Sequence, residues 1–189
     1  MRRLAAAALA ALLAGCVHSL EPFYSKEMIV AAPVSNGEWQ IEHDGKPDPG
    51  TIWRFTGDRV TMLDKHGHWR EFKVTYFKVG DALFLDSIAD TDGGDPSLGE
   101  GYWQMHLVPF HMLARVQVRS DRLVLRPLTA KGFEKAIGDA PSRQIVKRGE
   151  YETMVFDATP AQWKVFLEKH GNDSAVFPSE GQISFVPAK

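Results

Sequence analysis

Between Glu38 and Leu128 the chain is a succession of short apolar and β-branched runs, each closed by a pair of turn-forming residues. Trp39, Ile41 and His43 alternate with Glu38, Gln40 and Glu42, the period-two pattern of a strand with one buried face. Ile52–Thr56 then meets Gly57-Asp58, Arg59–Leu63 meets the turn of residues 64–67, and His68–Val79 meets Gly80-Asp81 ahead of Ala82–Ile88. Such spacing predicts consecutive hairpins. After a break the pattern returns: Trp103, Met105 and Leu107 share a face. Met112, Ala114, Val116 and Val118 alternate with Leu113, Arg115, Gln117 and Arg119, and Ser120-Asp121 leads into Arg122–Leu128. About eight strands are expected to this point. An antiparallel meander of that size closes into a small barrel, its interior either filled or holding one small ligand.

The break itself, residues 89–101, carries Gly93, Gly94, Pro96, Gly99 and Gly101 among acidic residues and is read as a loop. The last third is mixed. Ala130–Ile137 suggests a short helix ended by Gly138. A clearer helix has Thr159 as its N-cap, Pro160 at its first position and Gly171 at its end. Trp163, Phe166 and Leu167 form its apolar stripe, which needs a barrel wall to cover it. Gln182–Val186 is expected as a final edge strand. The fold class is therefore mainly β: an antiparallel meander closing into a barrel of about eight strands, with one or two C-terminal helices.

Ahead of this domain stands a different kind of segment. Met1-Arg2-Arg3 is a basic start, and Leu4–Ala14 consists only of Leu and Ala. That run is about half the length needed to cross a bilayer as a helix, and it matches a secretory signal core. Leu13-Ala14-Gly15-Cys16 then resembles the lipobox of bacterial lipoproteins, which implies cleavage before Cys16 and lipidation of its thiol. The expected organisation is a signal peptide over 1–15, a lipidated N-terminus and spacer over 16–36, and a single β-rich domain over 37–189. Val17, and not Asp, follows the cysteine. By resemblance to sorted lipoproteins this implies the inner leaflet of the outer membrane, facing the periplasm.

Cys16 is the only cysteine of the 189 residues, so an acylated chain has no thiol for a disulfide, a metal or nucleophilic attack. Without Arg2 and Arg3 the chain holds 20 basic residues against 24 acidic ones. That balance argues against nucleic acid as a partner. Eleven per cent aromatic residues mark a packed domain and not a disordered one.

Several residue groups are candidates for chemistry. His106 and His111 flank Pro109, which cannot donate to a ladder; a turn there would bring both imidazoles to one side as metal ligands, with His66, His68 or the acidic loop as a third. The alternative is two histidines bonded to backbone at a strand end. Asp90-Thr91-Asp92-Gly93-Gly94-Asp95 resembles part of a calcium loop, but no glutamate follows at the interval an EF-hand requires, so a solvated acidic loop is the competing reading. Ser87 beside Asp86 and Ser142 near Asp139 lack the setting of a nucleophile elbow. Trp39, Trp53, Trp69, Tyr76, Tyr102 and Trp103 fall on strand runs, either as core or as the lining of a cavity for an apolar ligand.

Asn36-Gly37-Glu38-Trp39, the hairpin series and the late helix together resemble a lipocalin-like barrel, in which a Gly-x-Trp opens the first strand and plugs the closed end. The later Thr-Asp-Tyr signature of that family is missing. His106-x-x-Pro109-x-His111 and the tail from Thr159 to Pro187 are similar to small uncharacterised bacterial lipoproteins, which implies a fold and no activity. The expectation is a non-enzymatic, membrane-tethered barrel that binds a small hydrophobic ligand or lipid and needs no cofactor. The alternatives are an envelope protein-interaction or assembly factor with an unidentified protein partner, and a metal-dependent enzyme built on His106 and His111.

Overall fold

The computed structural model describes residues 17–34, 36–63, 69–90, 110–119, 122–139, 141, 143–148 and 151–188. Its strands are β1 (His18–Ser19), β2 (Gly37–His43), β3 (Lys46–Thr56), β4 (Arg59–Leu63), β5 (Trp69–Val79) and β6 (Ala82–Ala89). They continue with β7 (His111–Arg119), β8 (Arg122–Pro127), β9 (Arg143–Arg148), β10 (Tyr151–Phe156) and β11 (Ile183–Pro187). Two helices, α1 (Ala130–Glu134) and α2 (Pro160–His170), lie between β8 and β11.

Strands β2 to β8 follow one another as an antiparallel meander, β11 inserts between β8 and β2, and β6 pairs with β7. The result is a closed eight-stranded barrel, as expected. Tight turns set the registers. Asp44 (φ 51°) and Gly45 (φ 76°) form the two-residue link between His43 and Lys46, the left-handed pair that matches strand twist. The register shifts between Gln40 and Glu42, where the Thr51 hydroxyl accepts the Ile41 N–H at 3.1 Å.

One expected barrel member differs in identity. The run Trp103–Leu107 lies outside the described residues, and the eighth strand is β11. It is not an edge, because it bonds Leu123–Leu125 on one side and Trp39–Glu42 on the other. The helical expectation for 130–137 is shortened to α1, followed by a 3-10 turn at Ile137–Asp139. The hairpin β9–β10 was not anticipated.

The expected spacer is folded. Val17 and Phe23 are fully buried and Met28 is nearly so. β1 takes the edge of β7 where β8 leaves it, with His18 opposite Met112 and Ser19 opposite His111, and β10 pairs beside β1 in parallel. Val17 N–H bonds Leu128 O at 3.1 Å and Leu20 N–H bonds Phe156 O at 2.9 Å. Backbone groups that a spacer would leave to water are thus satisfied by Leu128, just after β8, and by β10.

This arrangement creates two cores. Inside the wall lie residues such as Phe55, Val74, Leu85, Leu123 and Phe185. Outside it, Phe23, Phe77, Phe84, Phe156, Trp163 and Phe177 pack between the β5–β7 wall, residues 17–34 and the helices. The stripe Trp163, Phe166 and Leu167 of α2 is buried there as its spacing required. Thr159 and Gln162 close the helix start reciprocally, with Thr159 N–H to Gln162 Oε1 at 2.8 Å.

Candidate functional site

The pleat decides which side chains reach the barrel interior. On β5 the even positions Phe72, Val74 and Tyr76 point inward, and on β6 the odd positions Leu83 and Leu85 do so. Trp39, Trp53 and Tyr76 belong to this interior group, with Trp53 edge-on to Phe185 at 5.1 Å and Trp39 edge-on to Phe55 at 6.1 Å. Tyr76 is 3% exposed, and its hydroxyl has no hydrogen-bond partner among the described residues. Desolvation pushes its pKa up to about 12.

At the barrel end that carries the Gly80 turn, an open depression of about 760 Å³ lies between residues 30–33, the β5–β6 turn and the last half of β7. Its floor includes Leu83 and Val116, which are also members of the interior core. Lys78, Arg115 and Arg119 stand at its wall, with Asp81 as the single acid among the described residues. An apolar floor beside an excess of cations suits a molecule with an apolar part and an anionic end. Val30 and Val34 pack against the interior core, so the same N-terminal segment covers part of this end.

The other singled-out residues are dispersed. Trp69 is 43% exposed, with the Arg54 guanidinium 4.1 Å above its ring, so it takes no part in the interior. Cys16, Tyr102, Trp103, His106, His66 and His68 lie outside the described residues. Asp90, the first residue of the acidic loop, bonds the wall cations Arg59 (2.6 Å) and Lys73 (3.2 Å), and residues 91–100 lie outside the described residues.

His111 is placed by a partner that sequence reading had not paired with it. Its Nδ1 lies 2.8 Å from Asp86 Oδ1, and Asp86 Oδ2 accepts the Phe23 N–H at 3.0 Å. Asp86 is 2% exposed. Burial raises its pKa, against the lowering effect of the His111 and Phe23 bonds. The signal was present in the alternation: Asp86 and His111 both occupy outward positions on neighbouring strands.

Ser19 lies opposite His111 on β1, which brings serine, histidine and aspartate to one patch. The Ser19 hydroxyl is fully buried and accepts the Trp163 Nε1 hydrogen at 3.2 Å. A nucleophile needs its oxygen bonded to the base and open to substrate, so this trio serves packing. Ser87 faces inward while Asp86 faces outward, which separates that pair as well. No group of three metal-ligating side chains occurs among the described residues. Comparison with family models, with curated proteins and with solved structures found no match to this chain.

Proposed function

We propose that this chain is a lipoprotein anchored through Cys16, facing the periplasm from the inner leaflet of the outer membrane, whose barrel binds a small hydrophobic ligand or lipid without catalysis. The depression at the Gly80 end supports the binding reading, because its floor continues the interior core while cations stand at its wall. The lipobox-like Leu13-Ala14-Gly15-Cys16 after an apolar run supports the anchor. Several acyl chains hold a protein firmly at roughly 0.8 kcal/mol per buried methylene.

Gentle purification from the native host, followed by lipid extraction and mass spectrometry, tests the binding. Wild type is expected to carry a lipid that Val118→Glu, on the depression wall, loses and that Val165→Glu, exposed on α2, retains. A lipid-free wild type, or equal loading of both variants, contradicts it. The intact mass of the mature chain tests the anchor: acylation at Cys16 is expected, and a free thiol there refutes it.

A second reading, a protein-interaction role, draws on β9. It is the last strand in the sheet order, so one of its edges is left without a neighbour among the described residues.

A further inference from the structure

The outward positions of the β7–β8 hairpin hold two cross-strand arginine pairs. Arg115 lies opposite Arg126 and Arg119 opposite Arg122, with Gln117 opposite Val124 between them. Like charges placed directly across a ladder repel, so these two pairings carry a cost.

The partners of these arginines differ from those of cations elsewhere on the wall. On β3–β5, Arg54 bonds Glu38, Arg59 bonds Glu71 and Asp90, and Lys73 bonds Asp90. On β7–β8, among the described residues, only Arg122 meets a carboxylate, that of Glu42 at 3.0 Å. Arg115 donates to the Asn172 amide oxygen at 2.8 Å and Arg126 to that of Gln182 at 3.3 Å. Among the described residues Arg119 has neither kind of partner. Among the described residues, Arg115, Arg119 and Arg126 therefore meet no carboxylate, on a chain that holds more acids than bases.

The location of that face gives it an occupant. Val17 is fully buried and bonds Leu128 O, two residues beyond Arg126. No slack separates the residue after Cys16 from the end of this hairpin. Acyl chains leaving Cys16 would hold the arginines near phosphate headgroups, which the planar guanidinium bonds in a fork. A basic patch adds to acyl anchoring, each cation near an anionic surface contributing about 1 kcal/mol.

We propose that the outer face of β7–β8, through Arg115, Arg119, Arg122 and Arg126, lies on the anionic phospholipid headgroups of the bilayer that holds the Cys16 acyl chains. The proposal rests on the lipidation reading. It also places the depression, whose wall includes Arg115 and Arg119, beside the bilayer as its source of ligand.

Acylated protein is reconstituted in vesicles of phosphatidylcholine alone or with phosphatidylglycerol. A dye is attached to Gln117→Cys on this face, or to Thr61→Cys on the outer side of β4. Quenching by headgroup-labelled lipid is expected to be several-fold stronger at 117 than at 61, only on the anionic vesicles and only at low salt. The Arg115→Gln/Arg119→Gln/Arg126→Gln variant, with an unchanged circular-dichroism spectrum, is expected to lose the difference. Equal quenching at both sites, or the same pattern on neutral vesicles, overturns the proposal. A second dye taken up at Cys16 would expose a free thiol and overturn the tether instead. Flotation of that protein with anionic vesicles then decides the face alone: flotation lost in the triple variant retains it, and none in wild type ends it. Tighter binding to duplex DNA than to anionic vesicles, lost in the same variant, would also overturn the membrane assignment.

Discussion

The Asp86 carboxylate joins two parts of the chain that are far apart in sequence: one oxygen meets His111 Nδ1 at 2.8 Å, and the other accepts the Phe23 N–H at 3.0 Å. Because Asp86 is buried, these contacts replace the water that a carboxylate would otherwise hold.

That burial predicts a pH dependence. An acid whose folded pKa lies above its unfolded value binds more protons when folded, so its contribution is fully present below the ordinary carboxylate range. The contribution is lost as pH rises through the raised value. Asp86→Asn keeps an oxygen for Phe23 and cannot titrate. The wild-type melting midpoint should therefore fall relative to Asp86→Asn as pH rises out of the carboxylate range. Parallel midpoint curves, followed by near-ultraviolet circular dichroism, would contradict this. Asp86→Ala should cost about 1–3 kcal/mol for each donor left buried.

Phe23 is the apolar counterpart of that polar link. Its ring is fully buried, with its centroid 4.5 Å from that of Trp163. Phe23→Ala should destabilise the domain by about 3–5 kcal/mol. Denaturant unfolding measures the loss. Hydrogen exchange should also show early opening of the Leu20 and Val30 amides, which bond Phe156 and Tyr76 carbonyls. Exchange at those amides unchanged from wild type would mean that the segment is held independently of Phe23.

Among the described glycines, Gly132, in α1, allows the closest backbone approach. A Cβ there would stand 2.2 Å from Val176 O, a main-chain atom that cannot swing aside. Gly132→Ala should cost about 1–3 kcal/mol by overpacking. Gly138→Ala meets nothing within 4 Å and should be neutral or slightly stabilising. Equal melting temperatures for the two variants would refute the contact.

The barrel was legible because its registers are local. The Gly57-Asp58 and Gly80-Asp81 turns, with period-two runs on either side, specify which residues face inward, and the observed pairs Thr56–Arg59 and Val79–Ala82 follow. The same logic exposes the arginine pairs: Arg119 opposite Arg122 places Arg115 opposite Arg126. What was hidden depends on contacts distant in sequence. Burial of Val17 and Phe23 needs a wall and a helix over 130 residues downstream, and their segment has no period to announce it. The closing strand was recognised as a strand, but its two neighbours could not be read from its own residues. Trp69 shows the converse limit: an aromatic residue on a strand run sits outside, because one step along the pleat changes the face. Within the candidate site, the apolar floor could be read from alternation, whereas the pairing of Asp86 with His111 and Phe23 required coordinates.

Tyr76 bears most directly on ligand binding. Its hydroxyl is buried without a hydrogen-bond partner among the described residues, which costs about 1–3 kcal/mol unless something else satisfies it. Tyr76→Phe should therefore raise stability of the ligand-free protein by about 1 kcal/mol. In wild type, the phenol's pKa of about 12 implies stability that is intact below pH 10.0 and declines as pH climbs toward the folded value, a decline that Tyr76→Phe should lack. If a lipid hydroxyl or carbonyl reaches the interior, the same variant should bind that lipid more weakly despite being more stable. Calorimetric binding of the co-purified lipid to both proteins checks this. Lower stability of Tyr76→Phe in the ligand-free state would mean that the hydroxyl is satisfied after all.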